Sequence, residues 1–272
     1  MKTTTTPAEG FRRRPLTALA KAEYLQFRRN KTLVGMGIFL PVGISLTIYF
    51  VATRDQAPTT ATAATTLEVI ALVTVLFVQY YSVLSMVTTR RGEGVLRRLR
   101  TGEAADWQIQ TAPAVPGALI TLASTVVVAA VIYGTGTPAP VNLVAIALAV
   151  VGGIVLFALL ALATSAVTKN AEAAQITSLP VNAVAMLGLG SIRNVLPDSF
   201  AELASRTPFA AISDLMYLGA SGKPAVGATP DMAPLDFAGT FGQLGRPFAT
   251  LVAWVVLAFF LTHQSFRWDD RG

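Results

Sequence analysis

Six long apolar runs dominate the hydropathy pattern, at about 33–52, 69–88, 113–133, 143–167, 176–192 and 248–264. An α-helix rises about 1.5 Å per residue, so about 20 apolar residues cross a hydrocarbon core of roughly 30 Å. None of the six runs contains Asp, Glu, Lys or Arg. A single such residue at the bilayer centre costs about 2.5–3.5 kcal/mol on insertion scales. The pattern therefore predicts an all-α integral membrane protein with six transmembrane helices. The fifth run is the weakest, because it is short and holds Pro180, Gly188 and Gly190.

The segments between the runs differ in character. Residues 1–15 read as a disordered tail, and 16–272 as a single membrane domain. Over 16–32, Leu16, Leu19, Ala20, Tyr24 and Phe27 recur at helical spacing opposite Lys21, Glu23, Gln26, Arg28 and Arg29. That pattern fits an amphipathic elbow helix lying in the headgroup plane before the first span; a plain tail carrying topogenic charge is the alternative. A Thr/Ala-rich connector covers 53–66, a tight turn with Pro138 and Pro140 covers 134–142, and a short turn covers 168–175. The longest connection, 193–247, mixes apolar and polar residues over 198–218, which suggests short external helices between spans five and six. Its second half, 220–247, is rich in Gly and Pro and reads as irregular loop.

Composition agrees with the pattern. Of 272 residues, 53% are apolar and 13% charged, with a mean hydropathy of +0.57; an average soluble domain carries roughly 25% charge. The net charge of +6 does not point to nucleic acid, because the basic residues cluster against the apolar runs. With the N-terminus inside, 16 Lys and Arg fall on the cytoplasmic side and 5 on the other. The positive-inside bias thus predicts a multi-pass plasma-membrane chain of bacterial type with both termini in the cytoplasm. The chain has no cysteine, which excludes disulfides and thiolate metal sites. The first apolar run is longer than the 7–15 residues or so of a signal-peptide core, so it reads as a retained helix.

The most informative connection is 89–110, TRRGEGVLRRLRTGEAADWQIQ. Val95, Leu96 and Leu99 form a small apolar patch on a strongly basic helix, and Trp107 and Ile109 follow in an acidic context. Such a helix can dock in a groove on a partner, or it can rest on the bilayer surface. The residues alone leave both open.

The order of these parts resembles the type-two ATP-binding-cassette (ABC) transporter permeases, in their daunorubicin- and multidrug-resistance-like exporter branch. Three stretches carry the resemblance: RRGEGVLRRLRTGEAADWQI directly after the second span, SAVTKNAEAAQITSLP at the turn between spans four and five, and LPDSFAELASRTPFAAISDLMYL after span five. Thr207 stands where that family commonly has Asn before the Pro. The resemblance implies a half-transporter that pairs with a second permease chain, a homodimer being the simplest case, and with two copies of a separate cytoplasmic ATPase. It implies that the 90–107 segment is the coupling helix. Leu96, Leu99 and Trp107 would fill the ATPase groove, and Arg90, Arg91, Glu93, Arg97, Arg98 and Arg100 would orient it. It also assigns Asn170, Glu172 and Gln175 to a second cytoplasmic turn. No cofactor is expected on this chain; ATP and Mg would sit on the partner.

The residues bear on this independently. No G-x-x-x-x-G-K-[ST] phosphate loop is present, and Gly222-Lys223 stands in the wrong context. Energy must then arrive through a contact. Gln79, Tyr80 and Tyr81 in span two and Asn182 and Met186 in span five are polar or adaptable groups at membrane depth, and are candidates for a substrate pathway. Interhelical packing explains them equally well. An ion-coupled secondary transporter would be expected to keep carboxylates or His within its spans, and these runs have none; a non-transporting membrane assembly factor would need no docking helix.

Overall fold

The computed structural model describes residues 15–29, 31, 35–102, 104–229 and 231–269. Among them every regular element is helical, as expected of an all-α membrane protein. The tail before Pro15, and Thr32 and Leu33 at the expected start of span one, lie outside the described residues.

Twelve helices are used below, in chain order. The entry helix is α1 (Pro15–Arg29), and a π-turn at Gly35–Phe39 leads into α2 (Leu40–Ala52). Helix α3 runs from Thr60 to Gly92, α4 is Val95–Arg100, α5 is Asp106–Thr111, α6 is Ala114–Gly134 and α7 is Leu143–Ser165. Then come α8 (Ala173–Leu187), α9 (Gly190–Arg193), α10 (Asp198–Ala204), α11 (Pro208–Ser221) and α12 (Phe237–Ser265). Helices α3, α6, α7 and α12 are long and apolar enough to cross a bilayer, while α2 and α8 are shorter apolar helices. Each expected span is therefore represented, with changed boundaries at three of them.

The second helix begins at Thr60, not near 69. Thr59 caps it by accepting from the Thr62 N–H at 3.2 Å, so the Thr/Ala connector is largely helix. At about 1.5 Å per residue, its 33 residues reach about 50 Å, well beyond the hydrocarbon core. This boundary also corrects the reading of a charge-free second span, because Glu68 now lies two turns inside the helix and is fully buried. Residues Thr74–Tyr81 wind as a π-helix, in which the Ser82 hydroxyl donates to the Phe77 carbonyl five residues back at 3.1 Å. The wider turn lets Gln79 and Tyr80, adjacent in sequence, both be buried, against different neighbours.

The fifth apolar helix covers Ala173–Leu187 rather than 176–192. It breaks at a turn at Ser178, ahead of Pro180, and stops at Gly188. There the chain crosses α11 so closely that a Cβ on Gly188 would lie 2.6 Å from the Ala210 nitrogen. The last helix starts at Phe237, where Asp236 caps it by accepting from the Gly239 N–H at 2.7 Å. The 193–247 connection thus contains two short helices, α10 and α11, and the first turns of α12, and its irregular part narrows to about 222–235.

The expected short helices after the fifth apolar helix are present, and one of them, α11, is buried nearly all round. Helices α3, α7, α8 and α12 enclose it. A central helix of 14 residues with polar side chains must find every partner inside the protein, and the partners are visible. Thr207 caps its start, with Pro208 at the first helical position. The Tyr217 hydroxyl bonds Thr65 at 3.0 Å, and Ser213 donates to the Glu68 carboxylate. The same Glu68 oxygen accepts from the Gly190 N–H at 2.7 Å. Arg193, 2% exposed, donates to Ser213 at 3.1 Å and pairs with Asp214 at 2.7 Å. At the other end of α11, the Gly219 carbonyl accepts from the Asn142 N–H at 2.8 Å. Asn142 meanwhile caps α7 through its side-chain oxygen and donates to Thr240 of α12 at 2.8 Å.

The entry helix is present, but turned relative to the expected face. Leu19 packs on the core, whereas Glu23, placed on the polar side by the pattern, is 1% exposed and pairs with Arg90. Tyr24, expected on the apolar face, is instead exposed.

Glu68→Ala would leave the Gly190 N–H and the Ser213 hydroxyl without their acceptor. An unsatisfied buried group costs about 1–3 kcal/mol. Thermal unfolding of the purified protein in detergent should show a lowered midpoint for this variant, and a smaller loss for Glu68→Gln, which retains an acceptor. An unchanged midpoint in both would refute the anchoring role.

Candidate functional site

The site with the clearest geometry is the hairpin between α3 and α6. Helix α3 ends at Gly92, and the chain reverses through Gly94, which adopts φ +67°. A side chain disfavours that left-handed conformation, so this glycine sets the angle between α3 and α4. A second turn at Thr101 and Gly102 precedes α5, where Gln108 accepts from the Ala105 N–H at 3.0 Å.

The five arginines of this hairpin divide by role. Arg90 is tied to Glu23 of the entry helix. Arg91, nearly buried, donates to the Ser165 carbonyl at 2.6 Å and also to Thr168. Those carbonyls end α7, whose last turn has no intrahelical donors, so Arg91 caps that helix and sits at its negative pole. Arg100 lies 3.5 Å from Asp106 and 4.9 Å above the Trp268 ring. Phe266 and Trp268 meet edge to face with centroids 4.9 Å apart, which folds the segment after α12 back onto the hairpin. Trp268, which pattern alone marks only as an interface anchor, thus joins the hairpin. Arg97 and Arg98 remain to project outward.

The apolar residues divide in the same way. Leu96 is 1% exposed and belongs to the core, as does Ile109, while Leu99 is half-buried against it. Trp107 is 58% exposed. Leu96 therefore holds the hairpin onto the bundle and cannot fill a partner's groove from this position. The outward face consists of Trp107, Arg97, Arg98 and Glu93, with Leu99 at its edge. The signal for Leu96 was its spacing from Leu99, which defines one apolar face without saying which side is covered.

The second turn lies beside this hairpin, since Arg91 reaches Thr168 and, at 3.5 Å, the Lys169 carbonyl. Asn170 caps α8 by accepting from the Ala173 N–H at 2.8 Å. Glu172 and Gln175 are exposed next to it.

The pathway candidates do not converge. Gln79 is buried and donates to the Ala114 carbonyl of α6 at 3.4 Å. Tyr80 packs edge to face on Phe157, with its hydroxyl 3.2 Å from Thr164 of α7. Tyr81 is half-buried against the core. Within this chain, then, Gln79 and Tyr80 join helices rather than line a cavity. Asn182 is half-buried, and its side-chain oxygen has no partner; Met186, one turn on, is exposed. Among the described residues no cluster of His, Cys, Asp and Glu could hold a metal ion.

The sequence profile of the ABC-2 type transporter family matches residues 14–216, which spans the entry helix, the hairpin, the second turn and α11. The chain belongs to this family. It is an ABC-2 permease, the membrane-embedded transport subunit of an ABC-type transporter, and permeases of this family work with an ATP-hydrolysing subunit. A comparison with curated proteins finds no match.

Because Arg91 caps α7 while Arg97 projects from the surface, truncating them should act differently on the permease. Arg91→Ala removes charge-assisted bonds worth about 1.5–3 kcal/mol and should lower the unfolding midpoint. Arg97→Ala should stay within about 0.5 kcal/mol of the parent, as surface changes usually do. Equal midpoints for the two variants would contradict the division of roles.

Proposed function

We propose that this permease is the membrane half of an exporter of the daunorubicin- and multidrug-resistance-like branch. It moves an apolar or amphipathic compound, such as a drug, antibiotic or lipid-like molecule, out of a bacterial cell across the plasma membrane. Two permease chains pair, the same chain twice in the simplest arrangement, and two copies of a cytoplasmic ATPase supply ATP and Mg chemistry. Both termini and the α4–α5 hairpin lie on the cytoplasmic side, following the 16-to-5 distribution of Lys and Arg.

The observation that carries this reading is the two-sided hairpin within a chain of the ABC-2 family. Leu96 and Ile109 bind it into the bundle while Trp107, Arg97 and Arg98 face away. A lever needs that arrangement. A push on Trp107 is transmitted through α4 to the base of α3, and through Arg91 to the end of α7. Arg90–Glu23 carries it to the entry helix, and Arg100–Trp268 to the segment following α12. Nucleotide-driven approach of the ATPases would thereby tilt several helices together and switch the paired permeases from inward-facing to outward-facing. An apolar cargo suits the spans, whose one buried carboxylate, Glu68, is already bonded within the chain.

An exposed tryptophan flanked by arginines has the composition of an interface hot spot, where truncation costs about 2 kcal/mol or more. Co-purification with the ATPase of the same transporter should therefore fall on the order of tenfold or more for Trp107→Ala, at about 1.4 kcal/mol per tenfold. Leu99→Asp should abolish transport-coupled ATPase stimulation. Undiminished association and stimulation in both variants would overturn the docking assignment.

A further inference from the structure

A second site lies at the opposite end of the bundle from the basic hairpin. A cavity of about 540 Å³ opens between α11, the 222–235 segment and α12, lined among others by Arg193, Asp214, Leu218, Met232, Gln243 and Arg246. Ligand sites of this kind hold roughly 300–1,000 Å³ and combine apolar walls with a few fixed polar groups.

The polar groups here define a charge. Asp214 is neutralised by Arg193, their atoms 2.7 Å apart. Asp236 is committed to capping α12, and Asp231 does not line the cavity. Arg246 is exposed and forms no ion pair among the described residues. The wall therefore carries one uncompensated positive charge. Beside it, Pro247 has no N–H to offer the Gln243 carbonyl four residues back, which leaves that oxygen available to a donor. The remaining surface is apolar, from Leu218, Met232 and their neighbours.

Arg246 also stands immediately before the charge-free run at 248–264, at the level where a membrane helix meets the headgroups. An arginine there binds phosphate oxygens through two parallel N–H bonds, and a lipid phosphate in the leaflet on that side lies at the same level. We propose that this cavity binds an anionic phosphodiester amphiphile, with its phosphate on Arg246, its headgroup hydroxyls toward the Gln243 carbonyl and its apolar part against Leu218 and Met232. The site is independent of the hairpin and does not require the ATPase reading.

The test uses the full chain in nanodiscs of equimolar phosphatidylglycerol and phosphatidylcholine, with retained lipids counted by native mass spectrometry. Phosphatidylglycerol should be retained over phosphatidylcholine on the order of tenfold, the size of one charge-assisted contact. Arg246→Gln should bring the ratio to parity, Arg246→Lys should keep part of it, and Arg206→Gln, an arginine outside the cavity, should leave it unchanged. Soluble glycerol phosphate should fail to displace the lipid, because it lacks the apolar part. Parity in the parent protein, an unchanged ratio in Arg246→Gln, or displacement by glycerol phosphate would each overturn the proposal.

Discussion

The fold depends on keeping a 14-residue helix satisfied in the middle of a membrane protein. Helix α11 is too short to cross a bilayer, so neither of its ends can rely on water at the far side. Its exposed backbone groups and its Ser, Asp and Tyr side chains would each cost several kcal/mol in hydrocarbon without partners. The chain answers with a polar seam of Glu68, Gly190, Arg193, Ser213 and Asp214 at one side and Asn142 with Gly219 at the other. Because those partners come from α3, α9 and the cap of α7, and Asn142 in turn bonds Thr240 of α12, the same bonds that satisfy α11 also fix the relative placement of those helices. A buried charged network adds little net stability compared with apolar packing, but removing one partner is expensive. The seam therefore specifies an arrangement more than it strengthens it.

The basic end works by the opposite rule. There, water is available and the question is which charges are held and which are left free. Arg90, Arg91 and Arg100 are each bound to a different element, namely the entry helix, the end of α7 and the segment after α12. Two arginines and one tryptophan remain exposed on the outward face. A hairpin fastened at three points can transmit a displacement, whereas one resting on the headgroups would lose it to the lipid.

Much of this was legible in the sequence, and the reasons for the misses are physical. Each of the six apolar runs falls on a helix, four of them long and apolar enough to cross a membrane, because burial in lipid demands a length that polar residues cannot interrupt. They misjudged where α3 begins, since 60–68 is held helical by the Thr59 cap and by contact with α11 rather than by its own hydropathy. Glu68 falls just outside the expected run for the same reason. The mixed pattern of 198–218 suggests short amphipathic helices, which are present, but a pattern records how many polar groups a helix has and not which chain segment supplies their partners, so the burial of α11 was not legible. In the hairpin, spacing showed that Leu96 and Leu99 share a face, but the covered side became visible only with the bundle in place. Gln79 and Tyr80 were ambiguous between pathway and packing, and the π-turn that aims them at α6 and α7 has no signature in the residues themselves.

The chain contains no cysteine, so a single one introduced on the hairpin reports without background. The most direct measurement is modification of Arg97→Cys by a membrane-impermeant maleimide, in intact cells and in inverted vesicles, with and without the ATPase subunit. The account predicts labelling from the inner face alone and strong protection when the ATPase is bound. Labelling in intact cells, or equal rates in vesicles with and without the ATPase, would contradict it.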